Sequence, residues 1–146
     1  MASAQMRRTW TVAASRDDVF AHLATPESYV GMTQFVTRVY DVRDDGDAVR
    51  YVAVERFRLA GLPVWDNHIK VTLRADRAAG VVVQAVDSPA GVRLHSRVEL
   101  REVPGGTSVD ELIEVTMPKL LAGYVVKQAA AAQAYRAAEQ ERRFAG

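Results

Sequence analysis

The sequence of 146 residues contains no cysteine. Disulfide bonds, thiolate metal sites and a cysteine nucleophile are therefore excluded, and nothing indicates an oxidising compartment. An excess of charge of one sign is also missing, because 19 Lys and Arg residues face 18 Asp and Glu residues for a formal net charge of +1. We therefore expect no broad electrostatic surface for nucleic acid or for an anionic membrane.

Long hydrophobic runs are absent as well. No stretch approaches the roughly 20 apolar residues of a membrane-spanning helix, and Met1–Trp10 has two arginines but no apolar core of a signal peptide. Hydrophobic residues make up 49% of the chain and charged residues 25%, which is typical of a globular protein. We expect one domain over residues 1–146, located in the cytoplasm and without integral membrane association.

Signatures of metal and nucleophile chemistry are missing too. The three histidines, His22, His68 and His95, match no zinc spacing and are expected to face solvent. The chain has no G-x-S-x-G motif and no phosphate-binding glycine loop. The sequence therefore predicts no metal and no cofactor.

The chain opens with a predicted strand and two short helices. Alternation of apolar and polar residues predicts the strand over Arg8–Ala14. Ser15, followed three residues later by Asp18, is typical of a helix start, and Pro26 ends that helix because the residue before proline disfavours helical geometry. A second short helix is predicted over Glu27–Met32.

From Phe35 onward the hydrophobic period changes to two, which predicts a succession of strands. Turn residues separate them, among them Asp44–Asp47, Gly61 with Pro63, and Pro104–Gly106. The predicted strands cover residues 35–42, 48–59, 65–74, 81–86, 92–101 and 109–117. Strand 81–86 is too uniformly apolar for its faces to be assigned, whereas the others separate an apolar face from a charged one.

The last element is an Ala-rich helix from about Lys119 to the early 140s. Its predicted inner stripe is Leu121, Tyr124, Val125, Gln128, Ala131, Ala132 and Tyr135. Alanine favours helix and occupies little volume. A helix of this kind, laid across a curved antiparallel sheet, would leave a cavity lined mostly by apolar side chains.

Three segments carry a resemblance to a known superfamily: VAASRDDVFAHLATPESY, which ends at Tyr29, PGGTSV at Pro104–Val109, and VTMPKLLAGYVVKQA at Val115–Ala129. With the order of elements, they resemble the START/Bet v 1-like (SRPBCC, helix-grip) superfamily, and more narrowly its polyketide cyclase/dehydrase and lipid-transport group. The resemblance implies an α+β fold: a curved antiparallel sheet of about seven strands wrapped around a long C-terminal helix, with two short helices after the first strand.

The resemblance also implies a pocket between sheet and helix for a lipid, polyketide, isoprenoid or aromatic ligand. Some relatives are cyclases or aromatases, some carry or sense ligands, and some assist other proteins, so the fold alone does not choose a function. The aromatic, polar and apolar residues predicted to face this ligand are Tyr51, Phe57, Trp65, Asn67, Ile69, Ser96, Ile113, Tyr124, Gln128 and Tyr135.

Two inner-face carboxyl groups, Glu55 and Glu111, are the candidates for acid/base chemistry, because an apolar wall raises a carboxyl pKa by desolvation. The alternative is that each lies near the rim or pairs with an arginine across the cavity. A bulge in the last strand would instead turn Asp110 and Glu114 inward.

The sequence favours binding or transport of a small hydrophobic molecule, because no convergent catalytic set is visible. One alternative is a cofactor-free enzyme of the polyketide cyclase, aromatase or dehydratase type. Another is a protein-interaction module with a vestigial cavity. We expect a small hydrophobic ligand as the partner, no nucleic acid, and a monomer or homodimer.

Overall fold

The computed structural model describes residues 1–57 and 65–146. Strand β1 (Ala2–Val12) is followed by helix α1 (Arg16–Leu23) and a 3-10 helix (Pro26–Tyr29). The remaining elements are β2 (Val36–Asp44), β3 (Val49–Phe57), β4 (Trp65–Asp76), β5 (Val81–Asp87), β6 (Arg93–Val103), β7 (Gly106–Met117), a second 3-10 helix (Lys119–Leu121) and α2 (Ala122–Arg143). The predicted turn at Gly61 and Pro63, and the end of the predicted strand 48–59, lie outside the described residues.

The seven strands form one curved antiparallel sheet in the order β1-β7-β6-β5-β4-β3-β2. This order and the long C-terminal helix confirm the predicted α+β architecture. From β2 to β7 each strand pairs with its neighbour in the chain, whereas β1 crosses over to pair with β7. No helix in the described part of the chain is long and apolar enough to cross a membrane.

Strand β1 is longer than predicted. It begins at Ala2 instead of Arg8, and its pairing with β7 runs without interruption from Ala2 opposite Met117 to Val12 opposite Thr107. The first residues have little strand preference of their own, so pairing along the whole length of β7 decides their conformation. Where the two strands end, a Cβ atom on Gly106 would lie 2.0 Å from the carbonyl oxygen of Val12, so this close approach requires glycine.

The outer strand β2 pairs irregularly with β3. Its register shifts between Val36 and Arg38 and again between Tyr40 and Arg43. Within the second shift, Asp41 adopts a left-handed backbone conformation with φ of 55°. β2 is therefore a bulged edge strand that bends away from a straight ladder.

The hydrophobic core includes side chains of α1, β1 and the C-terminal half of α2. Leu23 and Val19 of α1 are buried, and Ser15 caps this helix as predicted by accepting a hydrogen bond from the backbone N–H of Asp18. The indole N–H of Trp10 donates to the Oε1 atom of Gln140 at 3.0 Å. A helix residue 130 positions away in sequence is thereby fixed against the first strand.

Candidate functional site

A cavity of about 410 Å³ lies between the inner face of the sheet and α2. Its walls come from β3 to β7, from the N-terminal half of α2, and from residues 29–36 after α1. Most of the lining is apolar, with Ile69, Val71 and Ile113 on the sheet side and Ala129 and Ala132 on the helix side. Alternation along each strand places these residues inward while charged neighbours face solvent.

A larger depression of about 1190 Å³ is open to solvent on the outer face of the sheet. Outward-facing polar and charged side chains such as Arg50, Lys70, Asp87 and Glu114 line much of it. These groups face solvent and carry both signs of charge, so we take the mostly apolar cavity between the sheet and α2 as the candidate site.

The sequence-predicted ligand residues that line the cavity are Tyr51, Phe57, Trp65, Asn67, Ile69, Ser96, Ile113, Tyr124 and Gln128. Tyr135 does not line it: this side chain is 43% exposed, and Ala131 of the same predicted stripe is also exposed. The predicted stripe is wrong only at Ala131 and Tyr135, because α2 turns Arg136 toward the cavity and buries Gln133 instead.

Aromatic rings lie at the end of the cavity formed by β3 and β4. The rings of Phe57 and Trp65 stack at 5.6 Å, and Phe35 lies 5.0 Å from Phe57. Trp65 and, on α2, Tyr124 are each 43% exposed although both line the cavity. This end is therefore the mouth, where flat apolar surfaces are accessible from solvent.

Glu111 lies at the inner end of the cavity, only 3% exposed, and is engaged by three side chains. The guanidinium of Arg136 donates to its Oε1 atom at 2.6 Å, and the hydroxyl of Ser96 donates to its Oε2 atom at 2.7 Å. The amide of Gln133 also donates to Oε1, at 3.3 Å. Glu111 is thus a buried, ion-paired carboxylate. This arrangement matches the alternative to acid/base chemistry, in which the carboxyl group pairs with an arginine across the cavity.

The register of β7 decides which acidic residues face inward. Its pairing with both β1 and β6 has no shift. Asp110 therefore faces outward, where Arg7 and Thr9 bind its carboxylate, and Glu114 is exposed. The bulge that would have turned Asp110 and Glu114 inward does not occur.

Glu55 lines the cavity near the mouth and is half-buried. It lies opposite Asn67 in the β3–β4 pairing, and the amide of Asn67 donates to the hydroxyl of Ser88 at 3.2 Å. Burial raises the pKa of Glu55, and a hydrogen bond from Asn67 offsets part of that rise. Among the described residues it has no cationic partner within ion-pair distance, unlike Glu111.

The polar residues of the cavity wall that the sequence analysis missed are Tyr29, Thr33, Gln84, Ser88 and Arg136. Gln84 donates to the hydroxyl of Tyr51 at 2.9 Å, and burial raises the pKa of Tyr51. Tyr29 donates to the carbonyl of Leu23, and burial raises its pKa as well. For Arg136, its place four residues after Ala132 on the inner stripe was the available signal.

The prediction that His22 faces solvent is wrong. This residue is half-buried between the guanidinium of Arg143, whose Nη1 atom lies 3.0 Å from its Nε2 atom, and the ring of Phe144. Burial, and then the charge of Arg143, lower the pKa of His22. In residues 1–57 and 65–146, no group of three or more His, Cys, Asp or Glu side chains could hold a metal ion.

Comparison with solved structures shows the same fold in other proteins. The protein TTHA0849 from Thermus thermophilus matches with a TM-score of 0.75 and 18% identity over 97% of each chain. The Zhui aromatase/cyclase from Streptomyces sp. R1128 matches with a TM-score of 0.73 and 16% identity over 97% of this chain and 96% of that one. A START superfamily protein from Mycobacterium smegmatis matches with a TM-score of 0.62 and 16% identity over 96% of each chain.

These matches show that the chain has the START/Bet v 1-like (SRPBCC, helix-grip) fold, as its resemblance implied. No family model matches the sequence, and no curated protein matches it. At 16–18% identity the likeness concerns the fold, because one fold supports many functions.

Proposed function

We propose that this protein binds and carries a small hydrophobic molecule in the cavity between the sheet and α2. The observation that carries this proposal is the cavity itself, about 410 Å³ of mostly apolar space. Pockets for small molecules typically measure roughly 300–1,000 Å³ and combine apolar walls with a few polar groups. A lipid, polyketide, isoprenoid or aromatic compound fits this description.

The residues of α2 support the proposal. Ala129 and Ala132 face the cavity where larger side chains would fill it. Protein interiors are normally packed as densely as organic crystals, so a cavity of this size is a departure that a bound molecule would compensate. The structural neighbours include proteins described as an aromatase/cyclase and as a START superfamily member, which supports a cavity with a ligand.

A cofactor-free enzyme of the cyclase, aromatase or dehydratase type is the second candidate, and Glu55 favours it. This carboxyl group lines the cavity, and burial raises its pKa, as a general acid requires. Glu111 supports the enzyme less, because Arg136, Ser96 and Gln133 already engage both of its oxygens. Catalysis through Glu55 predicts that Glu55→Gln abolishes turnover and leaves ligand binding intact.

Native mass spectrometry of the purified protein tests the carrier proposal. We expect a noncovalent adduct that denaturing conditions remove. Ala132→Phe should eliminate the adduct because the ring occupies the cavity. The matched control is Ala131→Phe on the exposed side of the same helix, which should retain it. Retention of the same adduct by Ala132→Phe, or recovery of wild-type protein that binds no apolar probe, would contradict the proposal and favour a vestigial cavity.

A further inference from the structure

The guanidinium of Arg136 has more hydrogen-bond donors than the protein uses. Arginine carries five N–H donors in a planar fork, and the Nη2 atom of Arg136 donates to Glu111. Within residues 1–57 and 65–146, its Nε and Nη1 atoms donate to no protein group. The side chain is 15% exposed and lines the cavity. No side-chain nitrogen or oxygen that is buried in the described residues lacks a hydrogen-bond partner, so the remaining donors of Arg136 are accessible to another molecule.

The other polar groups near this end already have protein partners. Ser96 donates to Glu111, and Gln84 donates to Tyr51. The hydroxyl of Tyr29 is directed to a backbone carbonyl. Two donors are left at this end for a molecule in the cavity: the hydroxyl of Tyr51, which accepts from Gln84 and keeps its own O–H, and the guanidinium of Arg136, which is the only one of the two that carries a charge.

The helix directs Arg136 toward the free space. Long side chains on an α-helix lean toward its N-terminus, over the residues three and four positions earlier. For Arg136 the residue four positions earlier is Ala132, and one turn further lies Ala129. These small side chains leave the volume beside the guanidinium open to a ligand atom.

The charge of Arg136 is already balanced. Glu111 pairs with it at 2.6 Å and is itself almost completely buried. A carboxylate ligand would bring a second negative charge next to Glu111 and would lose its own hydration. An uncharged oxygen acceptor brings no second negative charge and loses much less hydration than a carboxylate does, and a carbonyl group is the simplest such acceptor.

We propose that Arg136 binds an uncharged carbonyl oxygen at the inner end of the ligand and thereby orients the ligand in the cavity. This inference rests on the proposed function and narrows its ligand class to hydrophobic molecules with a ketone, ester or amide carbonyl at one end. The apolar remainder of the ligand extends toward Phe57 and Trp65 at the mouth.

Two probes of equal shape test the inference by isothermal titration calorimetry at neutral pH. They are 2-acetylnaphthalene and 2-isopropenylnaphthalene, which differ in having a carbonyl oxygen or a methylene group. We expect the wild-type protein to bind the ketone about tenfold more tightly, as a hydrogen bond to a charged group allows. We expect 2-naphthoate to bind less tightly than the ketone.

The main variant is Glu111→Gln with Arg136→Met, which removes both members of the ion pair and leaves no unpaired buried charge. Its preference for the ketone should fall to about one, while its affinity for the hydrocarbon stays within about twofold of wild type. Arg136→Lys retains a cation for Glu111 but loses the planar fork, so it should fold and show a reduced preference. Lys127→Met removes an exposed cation of the same helix and should keep the preference.

The possible failures are distinguishable. If both probes bind the wild-type protein equally, or if the double variant keeps the preference, the role of Arg136 is wrong while the carrier proposal stands. Tighter binding of 2-naphthoate than of the ketone would overturn the choice of an uncharged oxygen. If neither probe binds the wild-type protein, the proposed function fails and this inference fails with it.

Discussion

The two halves of α2 lie in different environments. The C-terminal half buries Gln133, Ala137 and Gln140 against the sheet and the first strand. The N-terminal half, with Ala129 and Ala132, faces the cavity. We call the region around α1, β1 and the C-terminal half the packed half of the molecule, and the region around the cavity the hollow half. The same helix thus contributes buried side chains to the core with one half and leaves space for the cavity with the other.

Polar contacts in the packed half hold side chains of α2 against β1 and against the segment after α1, which forms part of the cavity wall. Gln140 accepts from Trp10 and places its amide 3.5 Å from the sulfur of Met32. Arg143 donates to the backbone carbonyls of Ser28 and Val30. These bonds fix the segment after α1, part of which lines the cavity, so the hollow half keeps its shape because the packed half holds it.

The largest expected effect is on stability, and it separates the two halves. Leu23→Ala removes a fully buried side chain from the packed half and should lower the free energy of unfolding by about 2–5 kcal/mol. Val125→Ala removes methyl groups that already border empty space, so it should cost less than about 1 kcal/mol. Urea unfolding of both variants measures the difference. Equal losses would contradict the division into packed and hollow halves.

A smaller effect is expected at the ion pair where the halves meet. Arg136→Met leaves Glu111 buried without its cation and should cost about 2 kcal/mol, less than for a fully enclosed pair because Ser96 and Gln133 remain. Adding Glu111→Gln should recover at least half of that loss. Thermal unfolding of the single and double variants checks this. A double variant no more stable than Arg136→Met would show that the buried charge is not the cause.

The smallest effect is a pH dependence from Glu55. Burial raises its pKa above the ordinary value of 4.5, so the folded state binds more protons than the unfolded chain just above that pH. Stability should therefore fall as pH rises through this window and should level off above the folded-state pKa. Glu55→Gln should match wild type at about pH 4 and exceed it at about pH 7. Urea unfolding across this range gives the difference, and a variant less stable at neutral pH would reverse the assignment.

The sequence predicted the fold because local signals and the global arrangement agree. Ser15 marks the start of α1, and alternation along β3, β4, β6 and β7 gives their faces. The same alternation predicted that Glu55, Asn67, Ser96 and Glu111 lie on the inner face of the sheet, and all four line the cavity. Whether these residues contact a ligand stays a prediction.

The missed residues depend on contacts that local patterns do not encode. Gln84 lies in a strand with valines on both faces, and only its pairing with Leu73 and Ser96 assigns it a side. Helical spacing permits either Tyr135 or Arg136 on the inner stripe, so the pattern alone does not distinguish them. Long-range bonds such as the one from Gln133 to Glu111 fix the rotation of α2.

The interrupted register of β2 affects whether the edge of the sheet can pair with a strand of another molecule. An edge strand offers unpaired backbone groups to a strand from another molecule, and a straight ladder is the best template for such growth. In β2 the two shifts break that ladder, and Arg38, Asp41 and Arg43 place charges along it. A second chain could align with only a few consecutive residues before the spacing fails. The bulges therefore act as a built-in guard against intermolecular β-sheet aggregation at the edge beside the hollow half.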